Sequence, residues 1–113
     1  MAEIVYIDEE EGKKRLMNNG KLYAKILTKF KTTTNLNAFE ASVDAQDWGS
    51  AQAAVHAIRG AAANLSLIEL FNQTTDIETQ IKGGSLKPDA LGKLRLCFDE
   101  TMLQAEKVIA QYA

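Results

Sequence analysis

The chain has 113 residues, of which 46% are hydrophobic and 25% charged, with a formal net charge of -2. That length suits one domain around one core, so residues 1–113 read as a single domain. Nothing in the charge balance suggests nucleic-acid binding, which needs a strongly basic face, and no apolar run is long enough to span a membrane.

The N-terminus carries acidic residues after Met1 instead of a long apolar stretch, so no signal peptide is expected. An N-terminal methionine in front of a complete bundle also favours a free-standing protein. Ile4-Val5-Tyr6-Ile7 has no second strand to pair with and reads as an extended arm. Asp8 followed by Glu11 has the spacing of a capping box, which opens a short helix that stops near Asn18-Asn19-Gly20. From Lys21, the residues Leu22, Tyr23, Ile26, Leu27 and Phe30 recur at helical spacing. Thr32-Thr33-Thr34-Asn35 is weak in helix propensity, and Leu36, Phe39 and Val43 then restore the pattern. The reading is one long helix to about Gln46, with a break at the threonines as the alternative.

Asp47 is placed to cap a helix running from Trp48 to about Leu65. A further helix covers Leu67 to Ile81 and ends at Gly83-Gly84. Pro88 is a suitable first-turn residue for a final helix reaching Tyr112. Its inner stripe reads Leu91, Leu94, Phe98, Met102, Ala105, Ile109 and Tyr112. Cys97, the single cysteine, cannot close an internal disulfide, which fits a reducing cytoplasm. Its neighbours Leu96 and Phe98 mark it as a small hydrophobe instead of a nucleophile. Short connections force sequential long helices to run antiparallel. The expected fold is all-α: an antiparallel four-helix bundle with a short extra N-terminal helix.

The segment Trp48 to Leu65 contains a feature that bundle packing does not explain. Ala51, Ala54, Val55, Ile58, Ala62 and Leu65 form its core stripe. At about 100° per residue, His56 falls nearly opposite the centre of that stripe and should face solvent. Such a face is ordinarily filled with Lys, Glu, Arg or Gln. Here the residues around His56 are Gly49, Gln52, Ala53, Arg59, Gly60 and Ala63, and four of the six are Gly or Ala. Gly60 in mid-helix costs about 1 kcal/mol relative to alanine. Small residues let a partner's backbone, or a bulky phosphoryl group, come close to a lone imidazole. The face reads as a docking surface formed by Gly49, Gln52, Ala53, Gly60 and Ala63, with His56 at its centre. Arg59, at i+3, can reach an anion attached to His56.

On the next helix Glu78 sits at the edge of the stripe made by Leu67, Leu70, Phe71, Ile77 and Ile81. A carboxylate there either extends to solvent or finds a partner, because burying it unpaired is expensive. An antiparallel return of this helix can bring Glu78 near His56. There it would accept from Nδ1–H and leave the Nε2 lone pair free.

These residues resemble a known family. His56-Ala57-Ile58-Arg59-Gly60-Ala61-Ala62-Ala63-Asn64-Leu65-Ser66 is similar to the signature of histidine phosphotransfer domains of multistep two-component phosphorelays. That pattern is roughly His-x-Leu-Lys-Gly-x-Ala/Ser-x-x-Leu-Gly. Asp47-Trp48 with Ala51 and Val55 resembles the start of the family's histidine-bearing helix. Gly12, Arg15, Leu16, Leu22, Tyr23, Leu27 and Phe30 resemble its N-terminal region. The likeness spans Asp8 to Ile81. Three positions depart from it: Arg59 stands where lysine is usual, Ser66 where glycine is usual, and Glu78 where related domains often carry glutamine.

The resemblance implies a phosphoryl carrier without kinase activity of its own. A receiver domain of a response regulator or hybrid sensor kinase would present a phospho-aspartate with bound Mg²⁺. His56 Nε2 would attack in line, reversibly, and a second receiver would collect the group. In this scheme His56 is phosphorylated, Arg59 stabilises the phosphoryl group, and Glu78 orients the histidine. The chain itself needs no cofactor, and a cytoplasmic monomer is expected. No Walker-type glycine loop is present for ATP. A single histidine without clustered second ligands makes a poor metal site, and a hydrolytic triad lacks its partners. The alternative is a helical adaptor that binds a signalling partner through the same surface without being phosphorylated.

Overall fold

The computed structural model describes residues 4–112; Met1, on which the expectations of no leader and of a free-standing chain rest, lies outside them. Six helices follow in order: α1 (Glu9–Lys14), α2 (Gly20–Thr33), α3 (Asn37–Asp44), α4 (Trp48–Leu65), α5 (Ile68–Lys82) and α6 (Ala90–Gln111). No strand occurs among the described residues. The all-α bundle expected from the sequence is the fold observed, with α1 as its short extra helix.

The long helix read from Lys21 to Gln46 is two helices. Thr33 Oγ1 donates to the Lys29 carbonyl at 2.7 Å and Thr32 Oγ1 to the same carbonyl at 3.1 Å. Such bonds offer the backbone an alternative to the helical ladder. Thr34 then turns extended, and Asn35 Oδ1 accepts from the Asn37 amide at 2.9 Å. Leu36, between the helices, is fully buried. The break has an architectural result, because α2 packs mainly on α6 while α3 packs on α4. One arm of the bundle is thereby shared between two neighbours.

Two boundaries also differ from the sequence reading. Asn18-Asn19-Gly20 does not stop α1, which ends at Lys14; Asn19 instead caps α2, its side chain accepting from the Leu22 amide. Met17 and Asn18 have positive φ, so the chain reverses before Asn19. The final helix starts at Ala90, leaving Pro88 in the preceding turn.

The core is built from one face of each long helix. Tyr23, Leu27 and Phe30 of α2 join Phe39 of α3, Ala51, Val55, Ile58 and Ala62 of α4, Leu70 and Ile77 of α5, and Leu94 and Phe98 of α6. Burying each large side chain here stabilises the fold by about 1.5–3 kcal/mol. Thr74 and Thr101 are also fully buried. Each returns its hydroxyl to a carbonyl four residues back, Leu70 and Cys97, at 2.7 Å. Cys97 is buried, and burial pushes its thiol up to about 11, as suits a packing residue.

The α4–α5 turn is where the N-terminal region docks. Ser66 caps α4 in the left-handed conformation, φ 56 and ψ 42, a position where glycine is favoured. Its hydroxyl donates to Glu11 Oε1 at 3.0 Å and accepts from Arg15. The Asp8 amide donates to the Ser66 carbonyl at 2.9 Å. Local side-chain bonds thus hold a serine where the turn would otherwise prefer glycine.

Candidate functional site

Asp47 accepts from the Ser50 amide at 3.2 Å and from the Ser50 hydroxyl at 2.8 Å, which fixes the start of α4. From that origin the helix buries Ala51, Val55, Ile58, Ala62 and Leu65. The side chain of His56, on the opposite face, is 60% exposed. Gly49, Ala53 and Gly60 are exposed beside it, and Gln52 and Ala63 are half-buried at the margins. A Cβ placed on Gly60 would meet nothing within 4 Å. No packing within the chain therefore requires this glycine, and its room opens outward.

Helix α5 returns alongside α4, the most extensive helix pairing among the described residues, and carries Glu78 to the foot of the imidazole. Glu78 is only 5% exposed. Its Oε2 lies 3.1 Å from His56 Nδ1 and its Oε1 lies 3.3 Å away. Of the two outcomes open to this carboxylate on sequence, the structure has it partnered. Arg59 does not extend into solvent beside His56 but turns onto the same carboxylate, with Nε 2.9 Å from Glu78 Oε1. That contact lacks hydrogen-bond alignment, leaving Arg59 Nε without a hydrogen-bond partner, so it is a charge contact only.

Arg59 Nη2 also lies 3.2 Å from His56 Nδ1. One ring nitrogen cannot both donate to Glu78 and accept from Arg59. An ionised carboxylate can only accept, and a guanidinium can only donate. Leaving the buried Glu78 without a donor costs more than leaving the half-exposed Arg59 one bond short, since the arginine can turn to water. The proton therefore belongs on Nδ1, donated to Glu78. In the neutral ring the lone pair is then on Nε2, to which no described residue makes a hydrogen bond.

Lys82, one turn along α5, completes the cluster with Nζ 3.8 Å from Glu78 Oε2. Burial pushes the Glu78 carboxyl up. The His56 hydrogen bond and the charges of Arg59, His56 and Lys82 together outweigh this and hold it below the ordinary glutamate value. Lys82 is the one residue of the cluster that the sequence reading did not single out. Its signal was available, because a lysine four residues after a glutamate on a helix is a natural ion-pair partner. Among the described residues no cluster of three His, Cys, Asp or Glu side chains could hold a metal ion.

The site thus offers an exposed imidazole, a buried carboxylate holding the ring from behind, two cations on that carboxylate, and a small-residue face around it. No curated protein and no solved structure matches the chain. The Hpt domain family model matches residues 27–104, which takes in His56, Arg59, Gly60, Glu78 and Lys82. That match covers well over half of the sequence and agrees with the helical bundle: the chain belongs to the Hpt domain family.

Proposed function

We propose that His56 Nε2 accepts a phosphoryl group from the phospho-aspartate of one receiver domain and passes it, reversibly, to another. Family membership gives the general role, histidine phosphotransfer through receiver domains in two-component phosphorelays. The proposal adds the atom, the reversibility and the roles of the neighbours. The observation that carries it is the division of the ring: Nδ1 is tied to buried Glu78, while Nε2 carries the lone pair on an exposed face.

Phosphoryl transfer is mostly positioning and charge stabilisation. In this reading the receiver of a response regulator or hybrid sensor kinase supplies the phospho-aspartate and its Mg²⁺. The chain supplies Nε2 and a surface flat enough for close approach, formed by Gly49, Gln52, Ala53, Gly60 and Ala63. Arg59 stabilises the transferred group: it makes no aligned hydrogen bond to Glu78, so its guanidinium can turn toward a phosphoryl oxygen one helical turn away. The chain acts as a monomeric carrier in the cytoplasm and consumes no ATP. The unpaired buried thiol of Cys97 fits that compartment.

The test is to mix the chain with phosphorylated receiver domains and to look for acid-labile, alkali-stable phosphate. The His56→Gln variant should remain folded, because it changes an exposed side chain, and should accept no label. Label on that variant would place the acceptor elsewhere. A wild type that binds receivers but never takes up phosphate would favour the adaptor reading.

A further inference from the structure

Glu78 supplies more than a hydrogen-bond acceptor, a role that a neutral amide could also fill. Its oxygens lie 3.1 and 3.3 Å from His56 Nδ1 and the residue is 5% exposed. A formal negative charge therefore rests against the imidazole where water screens it poorly. We propose that this carboxylate makes the phosphohistidine short-lived, so that the chain hands its phosphoryl group on instead of storing it. The inference rests on His56 Nε2 being the acceptor.

The chemistry follows from where charge sits at each stage. A neutral imidazole with its proton on Nδ1 forms the Nε2–P bond using the Nε2 lone pair, and the ring becomes a phosphoimidazolium. In the reverse direction the Nε2–P bond breaks and its electron pair returns to Nε2. The Nδ1 proton stays in place, and the ring leaves as neutral imidazole. The phosphoryl group goes to a carboxylate oxygen of a receiver, or to water, whose proton passes to solvent. Loss of the Nδ1 proton from the phosphorylated ring would block this exit, because the leaving group would then be an imidazolate. A carboxylate on Nδ1–H keeps that proton in place far better than an amide does, since charge-assisted hydrogen bonds are roughly twice as strong as neutral ones. Its charge also repels the phosphoryl group. The same carboxylate favours the cationic ring over the neutral leaving group, which opposes cleavage. At neutral pH, where an imidazole is largely deprotonated, keeping the Nδ1 proton outweighs this and the lifetime shortens.

Two cations oppose the carboxylate. Among the described residues the charged groups facing Glu78 are His56 and Arg59 from α4 and Lys82 from α5. The Arg59 contact lacks hydrogen-bond alignment. Lys82 stands 3.8 Å off, with its side chain 61% exposed and therefore well screened. The imidazole alone meets the carboxylate in hydrogen-bond geometry, so its interaction prevails.

Phosphoramidate, a small donor that needs no receiver, can load the wild type and Glu78→Gln, with ³¹P NMR following the phosphohistidine after the donor is removed. At neutral pH the Glu78→Gln phosphohistidine should last on the order of tenfold longer. The pH at which hydrolysis accelerates on acidification should be lower in that variant. Glu78→Asp keeps the charge on a shorter reach and should give an intermediate lifetime. Equal lifetimes and superimposable pH profiles would overturn the inference while leaving His56 as the acceptor, as would a shorter lifetime in Glu78→Gln. A wild type that forms no phosphohistidine at all would overturn the acceptor assignment and this inference with it.

Discussion

The C-terminal turn of α4 and its outer face are surrounded by glycine and small residues for opposite purposes. At the C-terminal end the chain is drawn tight. The Tyr23 hydroxyl donates to the Leu65 carbonyl at 2.6 Å, and the Ser66 hydroxyl joins Glu11 to Arg15. A Cβ on Gly12 would lie 2.5 Å from the Tyr23 ring. On the outer face near His56 the chain is left bare, and a Cβ on Gly60 would meet nothing. One glycine makes room for the molecule's own tyrosine, and the other leaves room for something outside it. In the proposed carrier the buried end anchors the bundle and the bare face is the one its partners approach.

The largest effect should come from closing the internal room. Gly12→Ala drives a methyl group into a ring that is fully buried and cannot swing away. Overpacking of this kind should cost about 2–3 kcal/mol in urea denaturation. A variant as stable as the wild type would mean that α1 docks too loosely to matter. Tyr23→Phe comes next. It leaves the Leu65 carbonyl without its buried donor, and the loss should be about 1–2 kcal/mol, read as a lower denaturation midpoint at unchanged slope.

Gly60→Gln tests the other side of the comparison and should act in the opposite sense. It should raise stability by up to about 1 kcal/mol through helix propensity alone, while weakening receiver binding measured by calorimetry. Binding unchanged by the glutamine would remove Gly60 from the docking surface. The smallest effect belongs to Ser66→Gly. Relief of the left-handed backbone at φ 56 and loss of the hydroxyl bonds to Glu11 and Arg15 nearly cancel. The net change should stay under about 1 kcal/mol, and a larger loss would show that the α1 dock depends on this serine.

Sequence by itself determined whatever depends on the period of one helix. The burial of Ala51, Val55, Ile58, Ala62 and Leu65 and the outward direction of His56 follow from 3.6 residues per turn, whatever the neighbours do. The Asp47 and Asp8 caps were legible for the same reason, since donor and acceptor are three residues apart. Glu11 does not complete the capping box, because the Asp8 amide donates to the Ser66 carbonyl and the Glu11 carboxylate accepts from Ser66 and Arg15. The break at Thr32–Thr34 was only half legible: weak propensity permits a helix to end, but that α3 leaves α2 goes with the burial of Leu36 and Phe39 and the packing of α3 on α4. Gly20 looked like a stop and is instead the first residue of α2, where a Cβ would meet the Tyr112 ring from the far end of the chain. Arg59 looked free to reach an anion and is turned onto Glu78, with Lys82 on the same carboxylate. Each of these depends on how two helices are rotated and shifted against one another, which the pattern of neither helix specifies. Only the packed bundle sets that register, and with it which side chains share the carboxylate behind His56.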